Sequence, residues 1–322
     1  MKILITGGCG FIGSHFIRYI LQTYKDYRVI NLDALTYAGN LENLRDVEKN
    51  KNYRFIKGDI RNFSLVKKII KDVNVVINFA AQTHVDRSIK EAKDFVETNI
   101  NGTFVLLEAS RGSSKLKLFV QVSTDEVYGS ILEGSFIEKD PLFPSNPYSA
   151  SKAGADLLCN SYFVTYDLPA IIVRSVNNFG PYQYPEKAIP LFITNLLRKK
   201  KIPIYGDGLH IRDWVYVLDN VRAIDFILHK GEIGEIYNVS CGNEITNLEL
   251  AKMILEIFNL DQSWISYVKD RAGHDRRYSL DSSKIRKLGW KPIYDFRKAL
   301  ELTVEWYKNN DKWWRKLKRR RF

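Results

Sequence analysis

Short apolar runs alternate with amphipathic stretches of helical length through the first half of the chain. These runs are rich in β-branched residues, most densely at 73–79 and 117–123. Strands that helices cover on both faces have this composition. The alternation therefore predicts an α/β fold with a doubly wound parallel sheet. The predicted strands span residues 2–6, 28–32, 53–57, 73–79, 117–123 and 169–174.

The pattern changes after residue 176, where loops rich in Pro, Gly and aromatic residues separate shorter elements. We expect a short strand at 202–205 and helices near 187–199 and 246–258. This part of the chain is predicted to form a smaller lobe that shares a cleft with the larger one.

Two later segments, a helix near 216–229 and a strand near 235–240, are expected to return to the main sheet. The predicted organisation is thus a nucleotide-binding domain at 1–176 with return segments near 216–240, a mainly substrate-binding lobe at 177–314, and a basic tail at 315–322.

The net charge is +12, from 49 basic and 37 acidic residues, and the tail carries six of the positive charges with no acid. We expect this tail to be a solvated, disordered end, although it could touch nucleic acid or an anionic membrane. The remaining excess suits an enzyme for anionic substrates. The chain has no zinc finger, RNP-type strand or basic recognition helix, so nucleic acid is not an expected partner.

The three cysteines, Cys9, Cys159 and Cys241, are far apart and have no Cys-x-x-Cys spacing. This pattern fits a reducing cytoplasm and predicts no metal site. No apolar run approaches the roughly 20 residues of a spanning helix, and no signal peptide is recognised. We therefore expect a cytoplasmic protein.

A glycine-rich turn, Thr6–Gly13, follows the first predicted strand and opens a helix. Glycines in this place let the backbone approach a pyrophosphate at the helix N-terminus. Asp33 ends the second strand, where a carboxylate accepts hydrogen bonds from a ribose and repels a 2′-phosphate. No arginine follows at 34–37. These features predict dinucleotide binding, with NAD favoured over NADP, rather than a structural turn.

Tyr148 and Lys152 lie four residues apart, which places both side chains on one face of a helix. A neighbouring ammonium and a nicotinamide's positive charge would lower the pKa of a tyrosine toward neutrality. Ser123 or Thr124 could add a hydrogen bond to a substrate hydroxyl. Together with the glycine turn, the pair predicts a hydride-transfer site.

Asp125 and Glu126 follow the predicted strand at 117–123. Oxidation of an alcohol needs one proton acceptor, so two further carboxyls indicate a second proton transfer. If they act as acid and base, their pKa values should differ, and Asp125 should stay protonated long enough to donate. The alternative is a capped turn in which both acids are merely solvated.

The motifs resemble those of extended short-chain dehydrogenases/reductases, and specifically of the dTDP-glucose 4,6-dehydratases. The similarity covers nearly the whole chain, and Thr124-Asp-Glu126 is its most discriminating part. The matching segments are Thr6–Gly13, Leu35–Asn40, His84–Ser88, Ser123–Gly129, Tyr148–Lys152, Asn177–Pro181, Pro185–Lys187, Arg212–Trp214 and Arg271–Tyr278.

The resemblance implies a Rossmann fold and a three-stage reaction. Tyr148 takes the C4 hydroxyl proton while hydride moves to NAD, Glu126 removes the C5 proton, and Asp125 protonates the departing C6 hydroxyl. Hydride then returns to C6, which leaves a 4-keto-6-deoxy sugar nucleotide.

The resemblance also implies which residues line the site. Catalytic positions are Thr124, Asp125, Glu126, Tyr148 and Lys152. Cofactor positions are Gly7, Gly10, Phe11, Ile12, Gly13, Asp33, Thr36, Asp59, Ile60, Ala80, Ala81, Thr83, Thr98, Tyr148, Lys152 and Asn178. Substrate positions are His84, Thr124, Asn177, Lys187, Ala188, Pro203, Tyr205, Arg212, Asn247, Arg271 and His274.

Three positions depart from the usual family pattern: Gln82, Thr83 and Phe179 stand where glutamate, serine and tyrosine are common. The stretch beginning at Gln82 also resembles dehydratases that act on UDP-glucose. The alternatives are therefore a UDP-glucose 4,6-dehydratase or a nucleotide-sugar C4 epimerase. A non-enzymatic alternative is a dinucleotide-binding protein with a basic interaction tail.

Family members are typically homodimers formed through the helix that carries Tyr148 and the one near residues 92–111. Apolar side chains in the second helix are compatible with such an interface or with a monomer core. They are Phe95, Val96, Phe104, Leu106 and Leu107.

Overall fold

A seven-stranded parallel sheet forms the centre of the protein. The computed structural model describes residues 1–319, and the strands occur in the order β10-β6-β5-β4-β1-β2-β3. Its strands are β1 Lys2–Thr6, β2 Arg28–Asp33, β3 Tyr53–Lys57, β4 Val75–Asn78, β5 Leu118–Thr124, β6 Ala170–Ser175 and β10 Ile236–Val239. The predicted doubly wound α/β fold is confirmed.

Alternate residues of each central strand enter different apolar clusters. Ile3 and Ile5 of β1 pack in the larger cluster, whereas Leu4 between them packs in the second one. Both clusters are covered by helices, which explains the apolar runs read from the sequence. The helices are α1 Phe11–Thr23, α2 Phe63–Ile70, α3 Val85–Lys90, α4 Lys93–Phe95, α5 Gly102–Arg111, α6 Pro147–Tyr166, α7 Ala188–Leu196, α8 Val217–Lys230, α9 Asn247–Ile257, α10 Ser283–Lys287, α11 Phe296–Asn309 and α12 Asp311–Arg319.

The expected return of the later chain to the main sheet is confirmed. Helix α8 packs against α1, and β10 pairs in parallel with β6, from Ile236 beside Ile172 to Val239 beside Ser175. The domain boundaries themselves stay a prediction.

The smaller lobe contains two short sheets. One has the order β11-β9-β7, and the other pairs β12 with β8. Their strands are β7 Asn177–Phe179, β8 Ile202–Tyr205, β9 Ile211–Tyr216, β11 Glu244–Thr246 and β12 Ile265–Val268.

Helix α6 has strong local start signals. The Asn146 side chain accepts a hydrogen bond from the backbone N–H of Ser149, the Ser149 hydroxyl pairs with the Asn146 backbone, and Pro147 occupies the first turn. This capping arrangement fixes where the helix begins and therefore where Tyr148 points.

The helical region preceding α6 supplies both core and surface. A π-helical segment, Val96–Asn101, joins α4 to α5. Phe95, Leu106 and Leu107 are buried in the protomer, whereas Val96 and Phe104 are exposed. Three of the five apolar residues considered for a dimer interface thus belong to the core.

The predicted disordered tail is wrong for its first part. Residues 311–319 form α12, whose apolar side is buried through Trp313, Trp314 and Leu317. The Trp313 indole N–H donates to Asn43 Oδ1 at 2.9 Å, and Lys316 pairs with Glu42 at 2.7 Å. Residues 320–322, the rest of the predicted tail, lie outside the described residues.

Replacing Trp314 with alanine tests the anchoring of α12. The indole is almost fully buried and donates to the Tyr307 carbonyl. We expect the free energy of unfolding to fall by about 3–5 kcal/mol, measured by urea denaturation, because a large cavity opens. Lys312→Ala, on the exposed side of the same helix, should change it by less than about 0.5 kcal/mol. Similar small losses in both variants would contradict the anchoring.

Within residues 1–319, no helix is both long and apolar enough to cross a membrane.

Candidate active site

A single cavity of about 530 Å³ brings the predicted residues together. It lies where the carboxyl ends of the parallel strands meet the smaller lobe, the usual ligand position of such sheets. Every predicted catalytic, cofactor and substrate residue except Asp125 lines it.

Asp125 lies behind the cavity wall rather than in it. Its side chain is only 1% exposed, and its Oδ1 accepts a hydrogen bond from the Thr124 hydroxyl at 3.0 Å. Its Oδ2 has no hydrogen-bond partner in the described chain. Thr124 lines the cavity and so separates Asp125 from its interior.

The glycine turn forms a tight cradle at one end of the cavity. Gly7 has φ +67°, and a Cβ there would lie 2.7 Å from the backbone of Ala80. A Cβ on Gly13 would lie 2.6 Å from the Gly7 carbonyl oxygen. No side chain can therefore be accommodated at Gly7 or Gly13, and a pyrophosphate can approach the backbone there.

Asp33 holds the shape of this cradle. Its Oδ2 accepts from the Cys9 N–H at 2.8 Å, and its Oδ1 accepts from the Leu35 N–H at 2.7 Å. A carboxylate has about four acceptor positions, so it can still receive ribose hydroxyls. Burial raises the pKa of Asp33, and the two backbone N–H groups oppose that effect. The site fits a dinucleotide.

Asp59, expected near the adenine, is paired with Arg61. The guanidinium donates to both carboxylate oxygens at 2.7–3.1 Å, which lowers the pKa of Asp59. Arg61 also lines the cavity, although the sequence reading missed it.

Tyr148 and Lys152 share the cavity face of α6, as predicted. The Lys152 ammonium donates to the Val122 carbonyl at 2.6 Å, and burial lowers its pKa to about 8. Burial and the nearby Glu126 and Asp125 raise the pKa of Tyr148 well above its usual value. The expected lowering, which also requires the positive charge of the nicotinamide, stays a prediction.

The two carboxyls have different surroundings. Burial and then Glu126 raise the pKa of Asp125 to about 8. Burial also raises the pKa of Glu126, but Lys187, Arg271 and Arg212 oppose the rise. Asp125 is thus suited to keep a proton at neutral pH, and the cations around Glu126 favour its charged form.

The raised pKa of Asp125 makes stability depend on pH. The folded chain holds a proton that the unfolded carboxyl loses near pH 4, so this contribution is present at low pH and lost as pH rises toward about 8. We expect the unfolding free energy of Asp125→Asn to fall less with pH than that of the original protein, by up to about 1.4 kcal/mol per unit. Urea denaturation between these limits measures it.

The control for this prediction is Asp26→Asn, which changes an exposed carboxyl. It should follow the original pH curve. A parallel curve for Asp125→Asn as well would contradict the assigned pKa shift.

The far end of the cavity is strongly cationic. Arg212 is 5% exposed, and its guanidinium donates to the Ile211 and Asp275 carbonyls but forms no ion pair in the described chain. The Lys187 ammonium donates to the Thr83 carbonyl at 2.6 Å. Such groups can bind an anionic ligand.

Several cavity residues were missed by the sequence reading. Tyr278 lies 4.3 Å from the Arg212 guanidinium and donates to Asp275 at 2.5 Å. Glu186 accepts from Arg87 at 2.9 Å and lies 3.8 Å from His84. Both residues fall inside motifs that carried the family resemblance, which was the available signal.

His274 belongs to a cluster with His210 and Asp270. Its Nδ1 lies 2.6 Å from Asp270, and its ring stacks on His210 with centroids 3.6 Å apart. Potential ligand atoms of all three lie within 4.8 Å. However, imidazole lone pairs lie in the ring plane, so stacked rings cannot both direct one to a single ion. The geometry instead places the Asp270 carboxylate beside both rings.

The sheet, the glycine cradle and the Tyr148–Lys152 helix together define a short-chain dehydrogenase/reductase of the extended class. Residues 4–303 match the sequence model described as GDP-mannose 4,6 dehydratase. The chain belongs to that family.

Two curated relatives match nearly the whole chain. The dTDP-glucose 4,6-dehydratase of Streptomyces niveus is 48% identical, with 99% of this chain and 96% of the relative covered. The low-salt glycan biosynthesis protein Agl12 of Haloferax volcanii is 50% identical, with 97% and 100% covered.

Solved structures give the same picture. DesIV, a dTDP-glucose 4,6-dehydratase from Streptomyces venezuelae with NAD and TYD bound, has a TM-score of 0.96 and 49% identity, with 98% of this chain and 100% of that chain covered. A UDP-glucuronic acid 4-epimerase mutant from Bacillus cereus has a TM-score of 0.91 and 30% identity, with 96% and 99% covered.

Proposed function

We propose that this protein is an NAD-dependent dTDP-glucose 4,6-dehydratase, a hydro-lyase that forms dTDP-4-keto-6-deoxyglucose. The observation that carries the proposal is the joining of Glu126, Tyr148 and Lys152 in one cavity, with Asp125 directly behind Thr124. Curated dTDP-glucose 4,6-dehydratases at 44–48% identity support the substrate.

NAD would be held by the glycine cradle and Asp33 at one end and by the region around Tyr148 at the other. The glycines leave room for its pyrophosphate, as their blocked Cβ positions indicate. When bound, NAD supplies the hydride acceptor for C4 oxidation and the hydride that returns to C6.

Tyr148 receives the proton of the C4 hydroxyl. Its high pKa in the protein alone means that the tyrosinate forms only when a positive charge arrives beside it. The ketone at C4 acidifies the C5 proton, which Glu126 removes from inside the cavity. These two steps need one base each, and the chain provides both.

Asp125 supplies the proton for the departing C6 hydroxyl through Thr124. In the structure the Thr124 hydroxyl donates to Asp125 Oδ1. For the transfer this hydrogen bond reverses: protonated Asp125 donates to the Thr124 oxygen, and the Thr124 hydroxyl, which lines the cavity, passes its own proton to the leaving oxygen. As the C6–O bond breaks, Asp125 loses one proton to the departing water and Glu126 holds the proton taken from C5. Glu126 then returns that proton to C5 when hydride is delivered to C6, which gives the 4-keto-6-deoxy product.

The substrate's diphosphate would balance the cationic end. Arg212 has no carboxylate partner in the described chain, and Arg271 has only Asp86 at 3.5 Å. Arginine forks match phosphate oxygens. The other predicted substrate contacts, including His84 and Asn177, line the same cavity.

Mass spectrometry of dTDP-glucose and UDP-glucose, each incubated with the protein and catalytic NAD, tests the proposal. Loss of one water without net NADH supports a dehydratase, and the faster sugar nucleotide names the base. An unchanged mass with a new C4 epimer would replace the proposal by an epimerase, which the 30% identical epimerase structure keeps as second candidate.

The non-enzymatic alternative, a dinucleotide-binding protein with a basic tail, leaves the buried catalytic groups without a use. Deleting residues 315–322 would not test it cleanly, because Leu317 is buried in the core. Charge-removing substitutions on the exposed side of α12 serve better.

We also propose that the protein is cytoplasmic and forms a homodimer. Exposed apolar side chains lie on the two helical segments expected at the dimer interface, among them Val96, Phe104, Leu157 and Val164. Light scattering coupled to gel filtration tests this: a protomer mass of 37.4 kDa would contradict it.

A further inference from the structure

The basic end of the chain forms a second pocket. It has a volume of about 130 Å³ and is lined by four cationic side chains and one aromatic residue. These are Arg198, Trp314, Arg315, Lys318 and Arg319. No acidic residue lines it among residues 1–319.

Two segments bring these charges together. Arg198 begins a basic run, Arg198–Lys201, that follows α7, whereas the other cations lie on α12. The burial of Trp314 and Leu317 anchors α12 to the core. Packing therefore holds the two backbone segments next to each other, although Arg198, Arg315 and Arg319 themselves are exposed and only Lys318 is half-buried.

The cations are poorly compensated. Arg315 pairs with Asp311 at 3.1 Å. Arg198, Lys318, Arg319 and the lysines at 199–201 form no ion pair with any carboxylate among residues 1–319. Like charges held this close repel one another, so the arrangement costs folding free energy unless an anion offsets it.

Lys318 experiences this repulsion most directly. Its ammonium donates to Asn195 Oδ1 at 3.1 Å, a neutral acceptor. Burial, followed by the charges of Arg198 and Lys200, lowers the pKa of Lys318 to about 8. The pocket thus disfavours the charged form of Lys318 when no anion is bound.

We infer that this pocket binds a phosphate group through Arg198, Lys318 and Arg319, separately from the large cavity. Guanidinium forks and an ammonium match the oxygens of a phosphate. The volume holds such a group but is a quarter of that of the large cavity. The phosphate belongs to a free inorganic or organic phosphate or to a lipid headgroup at the protein surface.

Calorimetric titration of the full chain with inorganic phosphate and diphosphate, in about 0.15 M salt, tests the inference. We expect saturable binding. Arg198→Gln combined with Lys318→Met should weaken it at least about tenfold while keeping the fold, since methionine preserves the buried stem. Circular dichroism confirms folding.

The matched control removes two charges elsewhere. Lys49→Gln combined with Lys51→Met changes exposed lysines and should alter the affinity less than about twofold. Equal weakening in both double variants would mean general attraction to a basic protein and would overturn the inference.

A second readout follows the proton on Lys318. At pH 8.5 its amine is largely neutral, because its pKa is about 8, and an anion favours the charged form. Binding should therefore take up a proton, seen as a difference in heat between two buffers, and Lys318→Arg should bind without this uptake. Binding with no uptake in the original chain would contradict the assigned contact.

A third experiment, vesicle sedimentation, distinguishes a lipid headgroup from a free phosphate. Phosphatidylcholine vesicles with and without phosphatidic acid are sedimented with the protein. Phosphatidic acid-dependent sedimentation that the pocket variant loses indicates a lipid headgroup, and binding of inorganic phosphate without sedimentation indicates a free ligand. If neither probe binds, the inference fails, and the dehydratase assay remains unaffected.

Discussion

Glu126→Gln should abolish release of water while leaving the first hydride transfer intact. Glu126 lines the cavity, and its Oε2 has no partner in the described chain, so glutamine can occupy the same space without accepting a proton. We expect turnover to fall by about 10²–10⁴-fold, the contribution of a positioned base. NADH should accumulate at 340 nm in a single-turnover mixture with dTDP-glucose, since oxidised sugar cannot proceed.

The control for this variant is Glu133→Gln, an exposed acid in a loop, which should keep full activity. If Glu126→Gln dehydrates normally, the base assignment fails. If it neither dehydrates nor forms NADH, its role lies in an earlier step, such as substrate binding.

Tyr148→Phe should stop the reaction before any hydride moves. Phenylalanine keeps the buried ring and its edge contact with Phe95, at 6.3 Å between centroids, but cannot take the C4 hydroxyl proton. We expect a loss of at least about 10²–10⁴-fold in both NADH formation and dehydration. Stopped-flow absorbance and product mass measure the two steps.

Tyr166→Phe, near the end of the same helix, removes an exposed hydroxyl and should leave both steps unchanged. The two substitutions in the cavity are then expected to block different steps. Glu126→Gln separates oxidation from elimination, whereas Tyr148→Phe prevents both. Rapid NADH formation by Tyr148→Phe would remove tyrosine from the role of base.

The fold was predictable because its strands are covered on both faces. The central strands are mostly apolar, and every predicted strand of the first half agrees with the structure within two residues at either end. The glycine turn was equally readable, because Gly7 and Gly13 occupy places where a side chain cannot fit.

The C-terminal helix was not predicted because the sequence analysis considered the charge of this segment and not the spacing of its apolar residues. Trp313, Trp314 and Leu317 fall on one side of a helix, a pattern that predicts burial. Six cations in the final eight residues concealed it. Apolar spacing therefore gave the better indication of structure than net charge did.

The position of Asp125 could not be read from the sequence. Neighbouring residues on a short 3-10 turn, Asp125–Tyr128, point in different directions, and only the packing decides which one faces the cavity. The contact of Lys152 also depends on packing, because its ammonium donates to the Val122 carbonyl and not to the tyrosine hydroxyl.

The pairing of β10 with β6 sets an order for biosynthesis. A nascent chain that has emerged only through Ser175 has an unpaired strand edge, because its partner, Ile236–Val239, has not yet been made. Exposed edges of this kind invite pairing with other chains. The nucleotide-binding half therefore cannot be completed on the ribosome until β7, α7, β8 and β9 of the smaller lobe have been synthesised, whereas β11, α9 and β12 follow later.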